Sequence, residues 1–568
     1  MTALRRAGPL ALFPALTVAA FLLPIVGGLI GTLLPAFGYL PAIGGHAISL
    51  EPWRRLIAYP GLATSVVTSV SSGFAATIIS LALAIAFCAV AYGRAWARRI
   101  GGFVAPILST PHAAVAIGVA FLIAPSGWIV RALSPWVTAG SLPPDIETVG
   151  HRSAWPVVLC LVAKETPYLL LMIAGALHQV SARGHLAIAR SLGYGATEGW
   201  LKVVLPQIYS QIHLPIFAAL AFSLSVVDVA LIVGPSNPPP LAVLAVRWRN
   251  DADIGFYFPA AAAACLQLAL VVGAIGVWRL GELAVAAFGR AWIARGARRT
   301  LATPAALIGF GLSVASFMLS AFAIAGMALW SVATQWRFPS VLPTGWTLAN
   351  WSRSLASIAE PLVATLAVAI GSTLVALVLV LGCLENETRS RHRVGIRTLW
   401  LLYLPLLIPQ VAFLFGVQVV LVAFGADGTL AAVIWAHLVF VLPYVFLSLA
   451  DPWRSLDPRY ARAAASLGAS PRRIFWRIRL PLLAGPVLIA GAIGFAVSVG
   501  QYLPTIFAGA GRVGTLTTDA VTLSGGADRR LMGPYVLLQA ALPLFVYVAA
   551  IVIPAWRFGR RRDLKQWD

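Results

Sequence analysis

Three charged side chains stand where the sequence is otherwise apolar: Lys164 and Glu165 in VAKETPYLLL, and Asp228 in SLSVVDVALIVG. A charge at membrane depth costs about 2.5–3.5 kcal/mol on insertion scales, so it faces a partner or a water-filled path. Two readings follow. In one, Asp228 pairs with Lys164 across two helices and Glu165 is directed elsewhere, since successive helical residues point about 100° apart. In the other, Glu165 or Asp228 lines a path and attracts a cationic substrate. The only lysines are Lys164, Lys202 and Lys565, preceded by Ala163, Leu201 and Leu564, so no G-x-x-x-x-G-K-[ST] phosphate loop exists. If ATP drives this chain, another subunit binds it. The eight histidines are scattered and the apolar runs hold no H-x-x-H or H-E-x-x-H, so neither a metal site nor a cofactor is expected. Cys88, Cys160, Cys265 and Cys383 form no C-x-x-C pair and read as buried thiols.

A second candidate is a surface that docks a partner. The stretch AIARSLGYGATEGWLKVVLPQ from Ala187 recurs as RAAASLGASPRRIFWRIRLPL from Arg462. Pairing Gly193 with Gly468 is an offset of 275, which also pairs Ser191 with Ser466, Leu192 with Leu467, Leu205 with Leu480 and Pro206 with Pro481. Trp200 and Val203 match Phe475 and Ile478. Each copy reads as a helix, a glycine break, a short helix and re-entry into the membrane. Gly193 and Gly468 stand where a residue with positive φ ends a helix, and Ser470 and Pro471 suit the N-cap and first position of the second short helix. That helix is expected to expose Trp200 or Phe475 among basic neighbours, as a knob for a groove in a soluble partner. The plainer alternative is an amphipathic helix lying on lipid. Two such helices would have little reason to share the glycine-to-proline distance.

Both candidates need a membrane scaffold. Of the 568 residues 60% are hydrophobic and only 11% charged, against about a quarter charged in soluble domains. Apolar runs able to cross about 30 Å of hydrocarbon lie near 10–34, 63–91, 103–125, 154–177, 212–234, 257–279, 303–331, 360–384, 398–424, 430–450, 483–506 and 533–556. The first follows Arg5-Arg6 and continues through Leu34 without a small-residue cleavage site, so it reads as an uncleaved span. The expected fold is an all-α polytopic membrane protein of about twelve spans in two six-helix repeats: 1–279, a cytoplasmic linker at 280–302, and 303–568. Six spans per copy make the halves parallel, related by a pseudo-two-fold along the membrane normal with a path on that axis. Lys+Arg number 41 against 19 Asp+Glu, a net charge of +22. With both termini cytoplasmic, 29 of those 41 fall on the cytoplasmic side, including the duplicated loops at 178–211 and 451–482. The charge is therefore orientation plus attraction to anionic lipid, with no nucleic-acid partner required. The second half lacks the intramembrane charges: its fourth span reads VFVLPYVFLSL, and aligning Phe222-Ser223 with Phe495-Ala496 places Gln501 opposite Asp228. This suits a path with one specialised wall.

The two loops resemble the EAA loop of ATP-binding-cassette importer permeases, E-A-A-x-x-x-G with Leu-Pro twelve and thirteen positions after the glycine. The duplicated layout is similar to the fused permeases of the iron, thiamine and spermidine/putrescine class, most closely the YnjC-type, thiamine-like branch. The resemblance implies a type I importer permease in the bacterial inner membrane. Two copies of an ATPase subunit would seat on the loops, and an extracytoplasmic binding protein would deliver substrate. It assigns coupling to Leu192, Gly193, Trp200, Leu205, Pro206, Arg462, Ala463, Leu467, Gly468, Arg472, Phe475, Leu480 and Pro481. The leading Glu is missing, because Ala187 and Arg462 stand six positions before the glycines. Arg462, Arg472 and Arg473 instead favour an acidic ATPase surface, and the two interfaces should be unequal. The rival is a major-facilitator transporter, whose G-x-x-x-D-R-x-G-R-R loop is met at 92–102 only by YGRAWARRIGG, without the Asp.

Overall fold

A computed structural model describes residues 9–94, 107–137, 142–298, 301–390, 396–526 and 528–558. Arg5-Arg6, most of the 92–102 loop and the basic tail from 559 lie outside these residues. Among the described residues ten helices are long and apolar enough to cross a membrane, or up to twelve when two sharply bent pairs each count as one span.

The first copy comprises α1 (Leu12–Ala36), α2 (Leu62–Ala91), α3 (His112–Ile123), α4 (Trp155–Leu177), α5 (Ala182–Ser191), α6 (Leu205–Ser225), α7 (Asp228–Val233), α8 (Leu241–Arg249) and α9 (Tyr257–Ala294). The second repeats the order with α10 (Ala302–Ser331), α11 (Ala349–Ser390), α12 (Ile396–Leu407), α13 (Gln410–Ala423), α14 (Leu430–Ser455), α15 (Pro458–Ser466), α16 (Ala484–Val499), α17 (Leu503–Gly509), α18 (Leu516–Ser524) and α19 (Arg529–Phe558).

Like residues interrupt both copies at like places. Gly193 and Gly468 follow α5 and α15 at φ +86° and +77°, the left-handed region that ends a helix. A short helix comes next, Ala196–Gly199 or Pro471–Ile474. Ser470 Oγ accepts from the Arg473 N–H at 3.3 Å, and Pro471 stands first, as the sequence predicts. One π-helical turn follows, Trp200–Val204 or Phe475–Arg479, in which the Leu205 and Leu480 N–H groups reach back five residues to the Trp200 and Phe475 carbonyls. Proline is the cause: Pro206 and Pro481 have no N–H, and their rings crowd the carbonyl four residues back, so the turn before them widens.

The offset of 275 persists downstream. The α7 and α17 helices open at Asp228 and Leu503, and α8 and α18 at Leu241 and Leu516. The last two N–H groups donate to Ser69 Oγ and Thr365 Oγ1, each at 2.9 Å. This register corrects the expected equivalence of Gln501 with Asp228: Leu503 is opposite Asp228, and Gln501 lies in the unwound stretch before α17, which is a residue longer than its counterpart before α7.

The halves also exchange their first helices. The α1 helix packs along α13, where the Gly416 N–H donates to Thr32 Oγ1 at 2.9 Å, and Trp435 Nε1 of α14 donates to the Ala20 carbonyl at 3.2 Å. Gly28, Gly31 and Gly416 allow this approach, because a Cβ at Gly416 would overlap the Gly28 carbonyl. In return α10 packs on α2 and α3, with Ser313 Oγ donating to the Leu83 carbonyl at 2.9 Å. The region read as a linker is largely helix: α9 continues from its membrane stretch through Ala294 without interruption.

Candidate functional site

In the first duplicated loop Leu192 is exposed, but Trp200 is fully buried. The expectation that Trp200 projects outward is therefore wrong. Its ring belongs to a core with Ala182, Leu186, Val204 and Ile208, so α5 and the π turn fold against each other around it. Lys202 is also buried: Nζ donates to the Ala297 carbonyl at 2.6 Å and lies over the rings of Trp292 (4.7 Å) and Tyr194 (5.1 Å). The Arg298 side chain lies beside Gly193, where a Cβ would meet it at 3.3 Å. Residues following the membrane part of α9 thus overlay this loop. Leu205 is half-buried and Pro206 exposed.

The second loop is open. Leu467 is 87% exposed, Arg462, Ala463, Gly468, Arg472 and Pro481 are exposed, and Phe475 and Leu480 are half-buried. Phe475 rests on Trp453, its ring centroid 6.1 Å away, and the exposed aromatic is its neighbour Trp476. Ser470, Arg472, Arg473, Trp476 and Arg477 line a shallow depression. The loop is held from below by the end of α11. Glu385 accepts from Arg479 Nη1 at 2.5 Å and from Arg389 Nε at 2.7 Å, and Glu387 accepts two bonds from Arg454, at 3.0 and 2.9 Å.

At membrane depth the expected Lys164–Asp228 pair does not form. The three donors of the Lys164 ammonium go to the carbonyls of Ile107 (2.8 Å), Leu108 (3.1 Å) and Thr110 (2.5 Å). Pro111 breaks the helix before α3 and supplies no N–H, and the Ile107 carbonyl also accepts from Thr110 Oγ1 at 2.9 Å. Glu165 instead faces His112, Nε2 to Oε1 at 3.5 Å, and His112 also lies in the electrostatic field of Asp228. Glu165 and Asp228 are 5% and 9% exposed. The His112 ring lies against Phe222, their centroids 4.8 Å apart. Tyr168, Tyr403 and Tyr444 lie within electrostatic reach of one another, with Glu165 acting on Tyr168 and Tyr444, and Asp228 acts on Tyr502. Gln501 is half-buried beside Tyr502 in sequence. The dipeptides Pro167-Tyr168 and Pro443-Tyr444 lie in α4 and α14 at an offset of 276, one residue out of the 275 register.

Two copies of one helical order, exchanging first helices and each ending a span in a helix–glycine–helix loop, make this an all-α, multi-pass membrane protein. The sequence profile of the family described as "Binding-protein-dependent transport system inner membrane component" matches residues 379–556. The chain is 30% identical over 526 residues to the inner membrane ABC transporter permease protein YnjC of Escherichia coli (strain K12), covering 91% of this chain and 93% of that protein. It is 31% identical over 224 residues, 36% of this chain and 82% of the relative, to the molybdenum transport system permease protein ModB of Mycobacterium bovis. A putative 2-aminoethylphosphonate transport system permease protein, PhnV of Salmonella paratyphi A, is 30% identical over 186 residues, 31% of this chain and 67% of the relative. The chain belongs to the inner-membrane permease subunits of ATP-binding-cassette transporters. It is a multi-pass transport subunit that has no ATPase site of its own.

Proposed function

We propose that this chain forms the translocation path of an ATP-driven importer and couples it to two ATPase subunits through the loops around Gly193 and Gly468. The observation that carries the reading is the duplicated loop itself: both copies build the same helix, glycine, short helix and π turn. A rigid turn welded to the next span by proline converts movement of a bound partner into movement of α6 or α16. ATP draws the two ATPases together, the loops follow, and the halves rock about the axis between them. With the termini on the ATPase side, the opposite loops face a binding protein that delivers substrate. Lys164 fixes the break at Pro111, whereas Glu165 and Asp228, with Gln501 nearby, stand along the path.

The two docking surfaces are unequal. The first offers Leu192 on a loop already overlaid by residues 292–298, and the second offers Leu467 with Arg472, Arg473 and Arg477, a surface for an acidic partner. Reversing Arg472 and Arg473 together to Glu is expected to cut capture of the ATPase by detergent-solubilised chain about tenfold or more, whereas Arg190→Glu on the first loop costs less than about threefold. Capture unchanged by the double reversal, or lost equally in both variants, would overturn the unequal docking.

A further inference from the structure

The duplication puts a cation at the same register of both loops. Lys202 and Arg477 stand at the offset of 275, each two residues after the matched aromatic, Trp200 or Phe475. Their surroundings differ. Arg477 is exposed, in the depression it shares with Ser470, Arg472, Arg473 and Trp476. Lys202 is 5% exposed. Its ammonium donates to the Ala297 carbonyl at 2.6 Å and lies 4.7 Å from the centre of the Trp292 ring, both groups belonging to the end of α9 and the turn that follows it. Arg298, next in the chain, lays its side chain beside Gly193 of the same loop. The short helix Ala196–Gly199 packs on α2 and α10, and its Thr197 and Glu198 are buried where Arg472 and Arg473, at the same register, are exposed.

The cover over Lys202 is of a kind that an acidic partner can displace. An ammonium has three donors, and the hydrogen-bond acceptor it meets here is a neutral carbonyl. A carboxylate is the stronger acceptor, because it adds the attraction of opposite charges. The covering turn is itself exposed from Arg295 to Arg298. It bends at Gly296, at φ +63° with open space where a Cβ would stand, between α9 and the Ala297 carbonyl. Arg295 and Arg298 have the same sign of charge as Lys202, so an acidic surface approaching the loop attracts the turn and the ammonium alike.

We propose that residues 292–298 are an autoinhibitory latch on the first docking loop. In the free chain the latch covers Lys202 and Gly193. Docking of an acidic ATPase surface lifts it, and Lys202 exchanges the Ala297 carbonyl for a carboxylate of the partner. This rests on the reading of the two loops as ATPase-docking surfaces. The open second loop then engages its ATPase first, and the first loop follows with an apparent affinity reduced by the fraction of chains in which the latch is lifted.

The test isolates the first loop in the Arg472→Glu, Arg473→Glu background and measures how much of the co-expressed ABC ATPase of its own genome the full, detergent-solubilised chain captures. Adding Trp292→Ala, which removes the ring beneath the ammonium, is expected to raise capture about tenfold, and Arg298→Ala about threefold. Adding Lys202→Met, which frees the latch and removes the cation together, gives no such gain. Release of the latch is read separately. Lys202 is one of only three lysines and the one in this loop, so its acetylation by an amine-reactive ester, followed by peptide mass spectrometry, is expected to run about tenfold faster in Trp292→Ala than in the parent. Each variant is checked by gel filtration, and Arg298→Ala carries the comparison if Trp292→Ala does not fold. Faster acetylation without a gain in capture would overturn the latch, as would equal acetylation of parent and folded variants. A fall in capture would overturn it too, by making residues 292–298 part of the docking surface, and a gain in Lys202→Met equal to that in Trp292→Ala would overturn the exchange at Lys202. A parent chain, with its second loop intact, that captures no ATPase strikes instead at the docking reading itself.

Discussion

Replacing Lys164 by Met is expected to lower the yield of monodisperse folded chain about tenfold or more, because three carbonyls would lose the ammonium on which they converge inside the membrane. Lys164 is 2% exposed and its ammonium is the convergence point of the Ile107, Leu108 and Thr110 carbonyls. Neither water nor lipid can replace those bonds at that depth. Removing one partner of a buried charged interaction costs about 3–5 kcal/mol, most of it the penalty of the groups left behind. Arginine is a poor substitute, since a planar fork cannot serve three carbonyls arranged around a point charge. Fluorescence-detected gel filtration of membrane extracts measures the effect. Asp228→Asn provides the contrast: with no bond between the two residues, it leaves the yield near that of the parent. Equal losses in Lys164→Met and Asp228→Asn would show that the two residues act as a pair.

Removing Glu385 is expected to loosen the second loop without dismantling the membrane core. The side chain is 3% exposed and bridges Arg479, the last residue of the π turn, to Arg389 on its own helix. In Glu385→Ala the two guanidiniums face each other with no carboxylate between them, at a cost of about 3 kcal/mol or more. The consequence is a lower unfolding temperature and, in the assembled transporter, a loss of about tenfold in substrate-stimulated ATP hydrolysis, because a mobile loop no longer transmits displacement to α16. Neutralising the partner should relieve much of this: Glu385→Ala with Arg479→Met leaves no unpaired buried charge and recovers most of the thermal stability. A double variant no more stable than Glu385→Ala would contradict the bridge. The first loop is anchored by Lys202 on the Ala297 carbonyl.

Features written in a local pattern were legible in the sequence. The glycine breaks, the Ser470 cap and the Leu-Pro boundary follow from which residues tolerate positive φ, which accept from a free N–H and which lack one. The spans were legible from hydropathy, although α9 and α11 run to 38 and 42 residues, well past any membrane stretch. Features set by tertiary packing were not. Trp200 and Phe475 share a register, yet one is buried and the other half-buried, and the end of α9 with residues up to 298 is laid over the first loop. The partners of Lys164 are backbone carbonyls just before the break at Pro111, and charges alone suggested Asp228. The exchange of α1 and α10 between halves has no signature beyond small residues such as Gly28, Gly31 and Gly416, which read as ordinary membrane glycines until α1 and α13 are seen in contact.

The central claim is that one chain carries both membrane halves and docks two separate ATPases. Native mass spectrometry of the chain co-expressed with the ABC ATPase subunits of its own genome tests it most directly. One chain bound to two ATPase copies is the predicted species, lost or reduced to one copy in the Arg472→Glu, Arg473→Glu variant. A chain that stays free of every such ATPase would contradict the account.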